Sequence, residues 1–334
     1  MTITLTKFPD IHRGVGSIIE PEVPGGAIDE SVLLGEFKSA GAVLIRNAVK
    51  SEQEFITFSD TYSHDFSTYR GGGFRFGSLD RKQISNNETL LSTTGGSQGF
   101  PIPLHGEMYY MGERPSLLWF YCAQPPTSGG QTTLGDGIAI YAGLKPETKD
   151  LLLTKRLKYI RQLADGDWQK TFQTDDIAAV VELSERNGAH VTYDPATSSV
   201  RSEFVSPAVI THDGGETGVW INNAITLVYA ERAFESGWVA QNVQGTHSKT
   251  PPLIVRLEDD SKIPDAVLKD IVTVSESLTA EIPWQAGDVV LIDNTWMLHG
   301  RRQDNGTGRS IYVRMGEPTF DFTPHGRIGT IGRG

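Results

Sequence analysis

One cysteine in 334 residues excludes an internal disulfide. It is Cys122, at the end of the apolar run Leu117 to Cys122, where burial raises a thiol pKa and predicts a structural thiol rather than a nucleophile. Long hydrophobic runs are also missing. No window approaches the roughly 20 apolar residues needed to span a bilayer, and Met1 to Lys7 lacks the apolar stretch of a signal peptide. A membrane partner is therefore not expected, and cytoplasmic residence is the default. Positive charge is scarce: 30 Lys and Arg stand against 41 Asp and Glu, a formal net charge of -11. Such a field repels phosphate backbones, so nucleic acid is not an expected partner either. A few convergent arginines could still hold a small anion.

Internal repeats and low-complexity linkers are absent as well, so the chain reads as one domain over 1–334 with an insertion at roughly 136–205 between core strands. A hydrophobic fraction of 38% and a charged fraction of 21% fit an ordinary globular protein. Helical spacing covers Glu30 to Ala40 and Ser51 to Ser63, and Ala42 to Ile45 reads as a buried strand. From Ser116 the pattern turns strand-like, Pro125 to Gly130 is turn punctuation, and Gln131 to Leu134 is a short strand. Residues 136–190 are more helical, with Pro146 to Leu157 the clearest helix. Strand signals return at Gly218 to Asn222, Leu253 to Leu257, Asp288 to Ile292 and Ser310 to Arg314. Early strands, a helical insertion and late strands predict a barrel-like core of two sheets built from distant parts of the chain.

Two segments carry chemistry. In His105-Gly106-Glu107, residues i and i+2 of an extended chain project to one face and can grip one ion. Alone this means little, because with 8 His and 41 acidic residues about one such triplet arises by chance. The second segment, Asp293 to Arg301, carries His299 directly after an apolar strand. Arg309 and Arg314 flank and end the next strand candidate, and Gly306-Thr307-Gly308 suits a hairpin turn between the two. Adjacent antiparallel strands then bring His299 near a guanidinium. Two imidazoles and a carboxylate form the facial triad of non-haem Fe(II) oxygenases. Its open positions accept the carboxylate and keto oxygens of a 2-oxo acid and then dioxygen, while the far carboxylate of 2-oxoglutarate asks for an arginine fork.

With these residues in view, the chain resembles the taurine dioxygenase and clavaminate synthase-like family of Fe(II)/2-oxoglutarate oxygenases. The matching segments are Pro103 to Tyr110, Pro125 to Thr132, Thr217 to Asn222 and Trp284 to Arg301. The resemblance implies a mostly β fold with helical insertions (α+β), a double-stranded β-helix (jelly-roll) core flanked by helices. It implies His105, Glu107 and His299 as iron ligands, and Thr132 and an arginine as 2-oxoglutarate contacts. The family's spacing favours Arg314 as that arginine, with Arg309 assisting. Fe(II), 2-oxoglutarate and O2 are the implied cofactors. The implied reaction is hydroxylation at an unactivated C–H bond of a small molecule, an amino acid or amino-acid-derived natural-product intermediate, free or carrier-tethered. Desaturation, epoxidation or cyclisation would use the same residues, and a homo-oligomer stays open. Glu107 argues against halogenation, which needs a small residue there. Two rivals remain: a metal hydrolase and a non-catalytic small-acid-binding barrel.

Overall fold

The computed structural model describes residues 4–7, 15–21, 28–69, 81–93, 100–212, 217–242, 251–306, 308–323 and 326–327. Its centre is the strand Leu117–Gln124, whose first six residues are all buried. Alternation sends Leu118, Phe120 and Cys122 into one core and Leu117, Trp119 and Tyr121 into another. An apolar run without polar interruption is what a strand covered on both faces requires. Leu117–Gln124 pairs antiparallel with Val289–Asp293 on one side and Ser310–Pro318 on the other. Ala42–Ile45, Ser17–Glu20 and Thr4–Lys7 extend the sheet beyond Val289–Asp293, and Asn87–Ser92, Gln83–Ile84 and Ser63–His64 complete its nine strands.

On the outer face of this major sheet lie the helices Glu30–Ala40 and Glu52–Tyr62, which contribute Leu33, Phe37 and Phe55 to the second core. Asp29 caps the first helix by accepting from Ser31 N and Val32 N. Gly41 ends it at φ 69°, where a Cβ would stand 2.5 Å from the Trp296 ring. Truncating Phe37 at this interface would cost about 3–5 kcal/mol.

Facing the inner side is a minor sheet in the order Ala280–Glu281, Thr132–Asp136, Met297–Arg301, Ile102–His105. Leu134, Met297 and Leu298 from this sheet share one core with Phe120, Val290 and Val313 from the major sheet. The two-sheet, jelly-roll core expected from the sequence is therefore present, with helices flanking it. The expected hairpin is not. Met297–Arg301 pairs with Thr132–Asp136 and Ile102–His105, whereas Ser310–Pro318 lies in the major sheet. Residues 302–306 and 308–309 lie between the two sheets, held at one point by the bridge between Gly129 and Asp304. Gly–x–Gly is compatible with a tight turn, but the partners of the flanking strands are chosen by burial, and each strand has a better-covered place elsewhere.

Part of the anticipated insertion makes a third layer. Arg156–Leu163, Ala189–Asp194 and Ser199–Pro207 form a four-stranded sheet that Leu253–Leu257 completes, so this layer recruits residues well beyond 205. The helix expected to reach Leu157 ends at Thr154, because Arg156–Leu163 is a strand. No helix among the described residues is long and apolar enough to cross a membrane.

Candidate active site

His105 closes the strand Ile102–His105 and faces His299 across the ladder, with the ring centroids 4.3 Å apart. Glu107 does not continue that strand. Gly106 donates its N–H to Asn222 O (3.1 Å) and lies so close to Tyr109 and Ile221 that a Cβ would meet them at 2.5 and 2.6 Å. The chain then turns, with Met108 at φ 62°, and directs the Glu107 carboxylate back toward the imidazoles. One ligand atom from each of His105, Glu107 and His299 lies within 4.8 Å of the others, and these are the group among the described residues that could hold a metal ion.

The donor set fits a divalent iron. His105 Nδ1 lies 2.9 Å from Pro103 O, which makes it the protonated nitrogen and leaves the Nε2 lone pair for a metal. Burial first, and the neighbouring His299 second, pull the His105 pKa down to about 3, so the ring is neutral, the form that ligates. Burial pushes the Glu107 carboxyl toward its acid form, but Arg81 and then His299 outweigh it and hold the group below the usual carboxylate range. His299 Nε2 is 3.5 Å from Glu107 Oε2, and its ring packs 5.5 Å from Phe120. Its Nδ1 has no hydrogen-bond partner among the described residues, so packing rather than a second hydrogen bond orients this ring.

Beside the imidazoles a cavity is lined by Arg81, Thr93, Thr132, His105, His299 and Arg309, among others. Arg309 reaches it from the inter-sheet crossing. Its Nε donates to Gly130 O (2.9 Å), Nη1 to Thr93 Oγ1 (2.9 Å) and Nη2 to Thr132 Oγ1 (3.3 Å). None of these partners is a carboxylate. Burial, and then the nearby Arg301, draw its pKa down to about 10, the mark of a buried cation short of a counter-anion. The Thr132 hydroxyl is oriented by the Trp284 indole N–H at 2.9 Å.

Arg314, the arginine favoured by spacing, is elsewhere. Along Ser310–Pro318, Val313 points into the inner core with Phe120, and alternation turns Arg314 to the opposite face. There it bonds Asp60 (2.7 Å), Ser59 (2.6 Å) and Ile56 O (3.0 Å), and stacks 3.6 Å from the Phe66 ring centroid. It pins the strand to the helix Glu52–Tyr62 and does not line the cavity. Ten residues after His299, Arg309 lies at the metal end of the strand; five more residues carry the chain past it and flip the face.

Three residues with roles in this arrangement were not among the expected site residues, although Trp284 opens one of the segments that carry the resemblance. Arg81 directly follows residues 70–80, which lie outside the described set. Thr93 and Trp284 act only through Arg309 and Thr132. Of the remaining histidines, His64 and His190 are exposed, and His12, His247 and His325 are outside the described residues. Tyr109 packs, donating its hydroxyl to Asn294 O (2.8 Å). Cys122 is buried and free, as expected.

Comparison with known proteins agrees with this geometry. A clavaminate synthase-like protein of Arabidopsis thaliana, At3g21360, is 28% identical over 286 residues, covering 79% of this chain and 78% of that one. The dapdiamide synthesis protein DdaC of Enterobacter agglomerans is 23% identical over 294 residues, covering 85% of each. Among solved structures, PvcB of Pseudomonas aeruginosa superposes with a TM-score of 0.54 at 14% identity, covering 94% of this chain and 91% of that one. PvcB is described as an Fe, alpha-ketoglutarate dependent oxygenase from an isonitrile synthetic pathway. Residues 26–315 match the model of the taurine catabolism dioxygenase TauD, TfdA family. The chain belongs to the TauD, TfdA family, and with it to the Fe(II)- and 2-oxoglutarate-dependent dioxygenases.

Proposed function

We propose that His105, Glu107 and His299 hold the iron, that Arg309 with Thr132 holds the far carboxylate of 2-oxoglutarate, and that the enzyme hydroxylates an unactivated C–H bond of a small molecule. The observation that carries this reading is the convergence of two imidazoles and one carboxylate beside a buried guanidinium that bonds no acid. When bound, the iron with 2-oxoglutarate and dioxygen supplies an oxidant strong enough to take hydrogen from carbon. The chain supplies the rest. Pro103 fixes the His105 tautomer, Arg81 keeps Glu107 ionised, and Arg309 offers a planar donor fork matched to a carboxylate. Phe120 and Ile102 line the cavity and limit water around the reacting centre.

In this reading residues 1–334 act as one oxygenase domain, and the substrate is an amino acid or a related natural-product intermediate, free or tethered to a carrier. The relative DdaC, a dapdiamide synthesis protein, supports a small molecule of a biosynthetic pathway as substrate. The test is succinate formation from 2-oxoglutarate with added Fe(II) and ascorbate, in air and under argon. Oxygen-dependent succinate is expected. Substrate cleavage indifferent to oxygen would identify a hydrolase instead, and ligand binding without turnover would identify a binding barrel. His299→Ala should lose both metal binding and succinate formation; retention of either removes His299 from the triad.

A further inference from the structure

We propose that Arg81 anchors an anionic group of the primary substrate, which makes small carboxylic acids the class this enzyme oxidises. The inference rests on the iron and 2-oxoglutarate reading of the same site. The Arg81 side chain is only 8% exposed and lines the cavity that His105, His299 and Arg309 line. Its donors are under-used. Among the described residues, Nη2 donates to Glu107 Oε2 at 2.6 Å, Nη1 meets only the Met315 thioether at 3.5 Å, and Nε is buried without a partner. The guanidinium lies 4.6 Å from the Tyr69 ring centroid, which holds its plane but offers no acceptor for its N–H groups in that direction. A guanidinium presents five donors in a rigid fork, and a buried one requires acceptors for them.

Charge makes the same demand. Arg301 also lines the cavity, with Asp304 as its anionic neighbour; beyond that pair, with iron on the triad and 2-oxoglutarate on Arg309, the two charges of the ion and the guanidinia of Arg81 and Arg309 face three carboxylates: Glu107 and both ends of the co-substrate. One positive charge is left over in a buried space, where unpaired charge is costly. A single carboxylate on the substrate neutralises it and matches the planar fork of Arg81, holding the carbon to be oxidised on the metal side of the anchor. Substrates without a carboxylate leave the Arg81 fork unmatched.

The test uses full-length enzyme loaded with Co(II) and 2-oxoglutarate under argon. The probes are small L-amino acids and short-chain hydroxy acids, each paired with its primary amide, and binding is measured by calorimetry. At least one acid should bind, its amide should bind at least about 30-fold more weakly, and Arg81→Gln should weaken the acid by a similar factor. Because Arg81 also pairs with Glu107, Co(II) affinity should fall in that variant too, so acid and amide are compared with Co(II) and 2-oxoglutarate held at saturation, and Arg81→Lys should restore part of the acid preference. In air, the same acid should raise succinate formation by the parent enzyme.

Equal binding of acid and amide, acid binding untouched by Arg81→Gln, or no acid bound by the loaded enzyme overturns the assignment. An acid-to-amide ratio in Co(II)-saturated Arg81→Gln equal to that of the parent overturns it too, because Arg81 then serves the iron site alone. If the parent enzyme neither binds Co(II) nor makes succinate, it is the proposed function that fails, and the anchor falls with it.

Discussion

Asn294 holds Glu107 by both of its backbone polar groups, accepting from its N–H at 2.8 Å and donating to its carbonyl at 3.1 Å. The second amide hydrogen goes to Pro115 O at 2.7 Å, so the buried side chain has every donor and its acceptor in use. Because Asn294 lies in the segment that delivers His299, this clamp ties the two separated parts of the triad together. Asn294→Ala is expected to lower Co(II) affinity by about 10–100-fold, as loss of an outer-shell partner usually does. Calorimetry checks it, alongside the Co(II) absorption spectrum, which should show altered coordination. A lower melting temperature with unchanged metal affinity and spectrum would make the clamp purely structural.

The two arginines after His299 should separate cleanly. Arg309→Leu should raise the 2-oxoglutarate concentration needed for half-maximal succinate formation by at least tenfold, for a lost charge-assisted bond of roughly 1.5–3 kcal/mol. Arg314→Leu should leave that requirement alone and instead lower the urea midpoint, because its partners Asp60 and Ser59 lie on the helix Glu52–Tyr62. Steady-state kinetics and urea titration on both variants decide between them, and the opposite ranking would reinstate Arg314.

His105 makes the metal-free protein sensitive to acid. Its folded pKa, about 3, lies below that of a free imidazole, near 6.5, so on acidification the unfolded chain takes up the proton first. The stability it contributes is full above the unfolded value and drains away as pH falls toward 3. Between pH 6 and pH 4, His105→Gln should flatten the stability profile by about 1.4 kcal/mol per pH unit. Urea unfolding of both proteins at several pH values, with chelator present, measures the difference, and equal slopes would refute it.

Cys122 should be inert. Burial, reinforced by Asp288, pushes its thiol up to about 12, so no useful thiolate forms below pH 10. Iodoacetamide should leave the folded protein unmodified and label it fully in guanidinium, as mass spectrometry would read. Rapid labelling of the native enzyme would show that the central strand opens.

How much could be read in advance follows from how local each signal is. The strands Ala42–Ile45, Leu117–Gln124 and Val289–Asp293 announce themselves because continuous apolar runs are needed where both faces are covered. His105, Glu107 and His299 stand out because ligand chemistry restricts the residue types. Arg314 misled because spacing along the chain does not state which face a strand residue takes, and the sheet alternation that decides it depends on where Ser310–Pro318 pairs. The hairpin expected at Gly306–Gly308 failed for a related reason: a turn signal says that the chain bends, not which neighbour receives the next strand. Arg81, Thr93 and Asn294 act through partners distant in sequence, so no local pattern around them carries the information.

His105 and His299 stand on the minor sheet, whereas Arg309 comes from the crossing between the sheets and bonds back to Gly130 and Thr132. The span between metal and co-substrate clamp therefore depends on how that crossing packs over the filling at Phe120, Leu134 and Val313, and not on the minor sheet alone. Changes of side-chain volume in that filling would retune the reach of the site toward shorter or longer 2-oxo acids while leaving all three ligands in place.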